Sequence, residues 1–136
     1  MTDVLAGDLM VVRFAPYTAE KMFERAGRDY DRLIAEGKDP IYSISVFALV
    51  RPDERTSIDD LITEICATAP AGGRKCAVTT KRRLEEEGFR VERSEPPLHH
   101  HEVVLGKELR EMDVKRLEAV LEPGIRRNPA WATRRK

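Results

Sequence analysis

Short β-type runs alternate with segments of helical spacing along this chain, and the alternation limits the fold more than any other feature. Each run is rich in β-branched and aromatic residues and is bounded by proline, glycine or polar residues, which is typical of strands. The predicted strands are 9–14, 41–50, 75–79, 89–93 and 101–105. Helical segments separate most of them, in the order β-α-β-α-β-α-β-β-α. The sequence therefore predicts a single α+β domain in which helices pack on one mixed, mainly antiparallel sheet.

Polar residues mark the beginnings of the predicted helices. Thr18 precedes a long amphipathic segment that ends at Gly37, a residue suited to a C-terminal cap. Ser57 with Asp60 forms a pattern like a capping box, and Thr80 can cap a short third helix. The second helix carries one apolar stripe, formed by Ile58, Leu61, Ile62, Ile65 and Cys66. We expect that stripe to face the sheet.

The length and the charge distribution divide the chain into one domain and a tail. A chain of 136 residues has the usual size of one domain and can bury about two-thirds of its unfolded surface. The C-terminal end is basic and carries Arg126, Arg127, Arg134, Arg135 and Lys136. We therefore predict a globular domain over 1–125 and a basic tail over 126–136, docked on the domain by Trp131. Such a tail is usually solvated, and an arm that binds nucleic acid or a partner is the alternative.

The net charge excludes classes of binding protein that depend on a strong overall field. The 24 basic and 24 acidic residues balance, so no global potential draws the protein to nucleic acid or to a membrane surface. The longest apolar runs contain only a few residues, far below the ~20 that a membrane span needs. The start, Met1-Thr2-Asp3, lacks the basic and apolar regions of a signal peptide. We therefore expect a cytoplasmic protein, and export by a route that needs no signal peptide stays open.

All three histidines of the chain are consecutive, from His99 to His101, at the entrance to the last predicted strand. In an extended segment His99 and His101 point to one face and His100 to the other, so at most two of them can bind one ion. The paired spacings that mark zinc sites do not occur in the sequence. We therefore predict no metal site, and we expect Cys66 and Cys76 to be separate packed thiols.

The segment Gly72-Gly73-Arg74-Lys75 combines a flexible turn with two cations, a composition that suits phosphate. A phosphate-binding loop of the P-loop type needs a strand before it, a helix after it and a Lys-Ser/Thr ending. The pattern predicts none of these here, so we interpret the segment as a connection between a helix and a strand.

One group of polar residues falls on three predicted strands and can meet in space. Arg13 interrupts the first apolar strand, Ser43 and Ser45 lie on the central strand, and the histidines begin the last one. A buried arginine is costly unless an anion neutralises it. An arginine near two hydroxyls and an imidazole therefore suits a phosphate-bearing ligand. The alternative is that Arg13 lies on an edge strand or pairs with one of the many acidic residues.

An Arg in the first strand, Ser45-Val46-Phe47 in a later strand and His101 followed closely by β-branched residues form a pattern along most of the chain. This pattern resembles the small bacterial toxins with an ADP-ribosyltransferase-like fold. The resemblance implies NAD or a related nucleotide as the ligand, with Arg13 at its phosphate and ribose and with Ser45, helped by Ser43, at the nicotinamide side. It also implies His101 or Glu102 as the catalytic residue that orients a ribose hydroxyl while nicotinamide leaves. The activity would be ADP-ribosyl transfer or NAD hydrolysis, and an antitoxin or immunity protein would be the partner.

A second hypothesis needs no catalysis. The electrically neutral, charge-dense composition and the basic end also fit a protein-interaction module, such as an adaptor or the cognate partner of a toxin. The spatial arrangement distinguishes the two. A cleft that contains Arg13, Ser45 and His101 favours the enzyme, and a flat surface with Arg13 in a salt bridge favours the interaction module.

Overall fold

Six antiparallel strands form one sheet at the centre of the protein, in the order β4-β5-β2-β1-β3-β6. The computed structural model describes residues 3–68 and 72–134. The strands are β1 Leu9–Phe14, β2 Tyr42–Val50, β3 Lys75–Thr80, β4 Arg90–Arg93, β5 His100–Gly106 and β6 Ile125–Arg127. The predicted α+β class and sheet are confirmed. Every pairing between described strands is antiparallel, so the described sheet is purely antiparallel and not mixed.

Five helices connect or follow these strands. They are α1 Ala19–Ala35, α2 Ile58–Thr68, α3 Lys81–Glu86, α4 Glu111–Leu121 and α5 Pro129–Arg134, and a 3₁₀ turn over Glu122–Gly124 follows α4. The two predicted caps are present, because the hydroxyls of Ser57 and Thr80 each accept a backbone N–H three residues on. Thr18 caps α1 in the same way. Within the part of the chain that the structure describes, no helix is long and apolar enough to span a membrane.

The strand alternation produces two apolar cores, one on each face of the sheet. On β2, Ile44, Val46 and Ala48 belong to the first core, which includes the buried sides of α1 and α4. Phe47 packs against the second core, which lies under α2. The predicted stripe of α2 belongs to this second core, through Leu61, Ile62, Ile65 and Cys66, with Ile58 partly buried against it. The sequence prediction that this stripe faces the sheet is confirmed.

The domain extends further than the expected boundary at residue 125. Strand β6 pairs with β3, and α5 packs on α2. Ala130 is buried in the second core, and Trp131 is half-buried. Arg126 pairs with Asp59 of α2, so a residue assigned to a solvated tail instead stabilises the fold. Residues 126–134 therefore belong to the domain, and the last two residues of the predicted tail lie outside the described part of the chain.

Candidate functional site

Arg13 lies in the interior of the sheet, since β1 has β2 on one side and β3 on the other. The residue is only 7 % exposed. Its Nε donates to the carbonyl oxygen of Pro16 at 2.8 Å, and its Nη1 donates to the carbonyl oxygen of Ser45 at 2.7 Å. The third nitrogen, Nη2, is buried and has no hydrogen-bond partner among the described residues. Neither an edge strand nor an acidic partner accounts for Arg13, because main-chain carbonyls hold it.

The surroundings of Arg13 disfavour its charged form. Desolvation, together with a smaller effect of the neighbouring Arg25, lowers the pKa of the guanidinium to about 10, and Asp29 partly opposes both effects. None of the ion pairs among the described residues includes Arg13. A fixed, desolvated guanidinium bound to carbonyl oxygens stabilises the chain turn after β1.

The other predicted site residues divide between the two faces of the sheet. Ser45 lies opposite Glu102 in the β2–β5 register, and Ser43 Oγ donates to Glu102 Oε1 at 3.0 Å. These three side chains are on the face of the second core. His101 lies opposite Val46, on the face of the first core, which Arg13 shares. The sheet therefore separates Arg13 and His101 from Ser43, Ser45 and Glu102, and the cleft that would contain Arg13, Ser45 and His101 does not form.

The rings of His100 and His101 form hydrogen bonds that hold the segment before β5 in place. His100 Nδ1 lies 2.9 Å from the carbonyl oxygen of Ser94, and His101 Nδ1 lies 3.0 Å from the carbonyl oxygen of His99. Because a carbonyl only accepts, both Nδ1 atoms are the protonated nitrogens. The His100 ring also meets the Phe47 ring edge to face, on the side of the sheet opposite His101, as alternation predicts. Among the described residues, no group of three or more His, Cys, Asp or Glu side chains is arranged to hold a metal ion.

Both cysteines are buried in the second core, where Cys66 Sγ lies 3.9 Å from the side chain of Asn128. Desolvation raises the pKa of the Cys76 thiol to about 12, although the nearby Arg126 acts in the opposite direction. A thiol with so high a pKa is protonated at neutral pH and is a poor nucleophile. Cys76 therefore serves packing.

The sequence did not reveal a groove between α1 and α4, with a volume of about 530 Å³. Its apolar lining consists of Ala19, Phe23 and Val114. The helical pattern places Phe23 in the buried stripe of α1, but this ring is 38 % exposed and forms part of the groove. Phe23 is therefore the residue whose surroundings sequence reasoning missed.

The rim of this groove is acidic. It carries Glu20, Glu24, Glu111 and Glu118, against one cation, Lys115. Glu118 Oε2 accepts the backbone N–H of Ala19 at 2.9 Å, so α4 caps the first turn of α1. Glu111 pairs with Lys115 at 3.2 Å within α4. Glu24 lies 3.9 Å from the ammonium of Lys21, which is outside the lining, and Glu20 forms none of the ion pairs among the described residues. Both glutamates are exposed to solvent.

Comparison of the chain with protein-family models, with curated proteins and with solved structures finds no match.

Proposed function

We propose that this protein is a non-catalytic interaction module that binds a basic amphipathic helix of a partner protein in the groove between α1 and α4. The acidic rim around an apolar floor is the observation that carries this proposal. A helix with leucine-like residues on one side and lysine or arginine beside them complements both parts of the groove.

The spacing of the lining residues fits a helical occupant. On α4 the lining residues are Glu111, Val114, Lys115 and Glu118, which recur at intervals of three and four. On α1 they are Ala19, Glu20, Phe23 and Glu24, which also fall on one side of the helix. Each helix therefore presents one ridge to the groove, and a third helix can place its own ridge between them.

The charges select the partner. Four carboxylates and one ammonium line the groove, while the chain as a whole is neutral. This local excess repels acidic segments and attracts basic ones, and it does so within about a Debye length of the surface. The apolar contact with Phe23 then supplies affinity that salt does not screen.

The second candidate is the NAD-binding, toxin-like enzyme that the resemblance implies, acting with an antitoxin or immunity protein. Two observations support it: Arg13 Nη2 is buried without a partner among the described residues, and Arg13 shares a face with His101. We place it second because Nε and Nη1 of Arg13 are already used by carbonyl oxygens and because Ser45 lies across the sheet.

The test uses two synthetic amphipathic helical peptides, one of leucine and lysine and one with glutamate in place of each lysine. Isothermal titration calorimetry with the full chain should detect binding of the lysine peptide only. That binding should weaken at least tenfold between about 0.1 M and about 1 M NaCl, because salt screens the rim charges.

Matched variants locate the site. Phe23→Ala and Glu24→Lys should each weaken binding of the lysine peptide about tenfold or more, a loss of about 1.4 kcal/mol. Ile34→Ala, at an exposed position near the other end of α1, and Glu64→Lys, on α2 across the sheet, should leave it unchanged. The proposal would be contradicted if both peptides bound equally or if the control variants lost as much affinity. It would also be contradicted if light scattering showed a dimer of this chain that Phe23→Ala dissociates, because a second copy would then occupy the groove.

A further inference from the structure

A separate cavity of about 320 Å³ lies where the start of β3, the end of β6 and helix α5 meet. Its described lining consists of Arg74, Lys75, Arg127 and Trp131, which are three cations and one aromatic ring. We propose that this cavity binds a free nucleotide, with its phosphate on the cations and its base against the ring of Trp131. The groove between α1 and α4 shares no lining residue with it, so this proposal stands apart from the interaction module.

The strand register places two of the cations against each other. Lys75 and Arg127 are direct partners in the β3–β6 pairing. Like charges at directly opposite positions of an antiparallel pair destabilise the sheet. No ion pair among the described residues includes Lys75, Arg127 or Arg74. An anion that binds between these cations would remove their mutual repulsion. Phosphate is an anion that arginine and lysine can bind together.

Hydrogen bonds of Asn128 fix the backbone around this cavity. The residue is fully buried, and its Nδ2 donates to the carbonyl oxygen of Gly73 at 3.0 Å. Its backbone N–H donates to the carbonyl oxygen of Arg74 at 2.8 Å, and its Oδ1 accepts the N–H of Ala130 at 3.0 Å. One side chain therefore ties the turn that carries Arg74 to the helix that carries Trp131. The backbone held in this way loses little conformational entropy when a ligand enters, whereas the exposed side chains of Arg74, Lys75 and Arg127 become ordered on binding.

The aromatic wall and the volume decide the kind of phosphate compound. Trp131 is half-buried and is the aromatic residue of the described lining. Any of the nucleobases can stack on an aromatic side chain, because each base has a π-face. A volume of about 320 Å³ lies at the lower end of the range of small-molecule sites, about 300–1,000 Å³. The cavity therefore suits one nucleotide unit.

Trp131 also reports on the cavity, because it is the only tryptophan of the chain. Titration of the full chain with AMP should quench the tryptophan fluorescence to saturation. Adenosine lacks the phosphate and pyrophosphate lacks the base, so each should bind at least tenfold more weakly than AMP, as measured by direct titration or by displacement of AMP.

Two variants separate ligand binding from structure. Lys75→Gln and Arg127→Gln should each weaken AMP binding about tenfold, because each removes one charged contact to phosphate. Without ligand, each should raise the melting temperature by about 1–3 °C, because the opposed positive charges are gone. Arg28→Gln, at an exposed cation of α1 that none of the described ion pairs includes, should change neither property.

Three outcomes overturn the proposal. The first is the absence of saturable quenching by AMP at millimolar concentration. The second is pyrophosphate that binds as tightly as AMP, which would leave no part for the base. The third is a short oligothymidylate that binds while AMP does not, which would assign the cations to a nucleic acid strand instead. Far-UV circular dichroism confirms that each variant is folded before its titration is interpreted.

Discussion

The guanidinium of Arg13 hydrogen-bonds the main-chain carbonyl oxygen of Ser45, 32 positions along the chain, while the Ser45 side chain lies on the other face of the sheet. A second carbonyl, that of Pro16, accepts from Nε of the same group. Arg13 thus joins strand β2 to the turn that leaves β1. This role depends on the forked shape of the guanidinium, since a lysine ammonium cannot replace two N–H groups that point in fixed directions.

We predict that Arg13→Lys lowers the free energy of unfolding by about 1–3 kcal/mol, because at least one buried carbonyl loses its donor. Urea denaturation measures the change. Millimolar NAD should not restore the lost stability, and any shift of the melting temperature that NAD causes should be the same in Arg13→Lys and in the unmodified chain. A clear stabilisation by NAD that Arg13→Lys abolishes would instead favour the ADP-ribosyltransferase-like hypothesis.

Ile62→Ala should lower the free energy of unfolding by about 2–5 kcal/mol, because Ile62 is completely buried in the second core and the truncation leaves a cavity. The control is Ile34→Ala, since Ile34 is 54 % exposed and truncation there should cost under about 0.5 kcal/mol. Chemical denaturation of the two variants side by side tests the difference. Equal losses would contradict the assignment of α2 to the second core.

Two glycine substitutions should change stability in opposite directions. A Cβ on Gly124 would lie 1.8 Å from the carbonyl oxygen of Val78, so Gly124→Ala forces the 3₁₀ turn away from β3 and should cost about 1–3 kcal/mol. A Cβ on Gly27 would meet only Leu109 Cδ2, at an ordinary 3.8 Å. Gly27→Ala in the middle of α1 should therefore raise stability by about 0.5–1 kcal/mol. Thermal unfolding of both variants measures the two signs.

Alkaline pH should weaken the fold through Cys76. Its pKa is raised from 9.0 to about 12 chiefly by desolvation, so the unfolded chain loses the thiol proton before the folded chain does. The contribution of the neutral thiol is fully present below the unfolded pKa and is lost as the pH rises from 9.0 towards about 12. The stability of Cys76→Ala should therefore fall less steeply with pH across this range. Parallel slopes for the two proteins in urea titrations would exclude the effect.

The local signals in the sequence predicted the local structure well. The apolar run of β1 and the hydroxyl cap at Ser57 depend on residues close in the chain, and both are present as predicted. Strand β6 was not predicted, because Ile125-Arg126-Arg127 has no strand pattern and is ordered by pairing with β3. Its position depends on a contact between distant segments, which periodicity does not encode.

The site residues show the same limit. Alternation along β2 places Ser43 and Ser45 on the face opposite Val46, but it gives no register between strands. Without that register the sequence placed Arg13 beside the serine hydroxyls. Every residue has a main-chain carbonyl, so the pattern of side chains does not show which carbonyls accept from Arg13. The partners of Arg13 therefore could not be predicted. The groove was missed because Phe23 matches a core position in spacing and differs only in what covers it.

The hydrogen bond from the Ala19 amide to Glu118 joins two residues that are 99 positions apart. During synthesis the chain emerges from its N-terminus, so α1 leaves the ribosome long before the carboxylate that completes its first turn. The groove beside that bond therefore forms only after the chain has been made as far as α4. A partner that recognises this groove therefore distinguishes chains that contain α4 from nascent or truncated chains that stop before it.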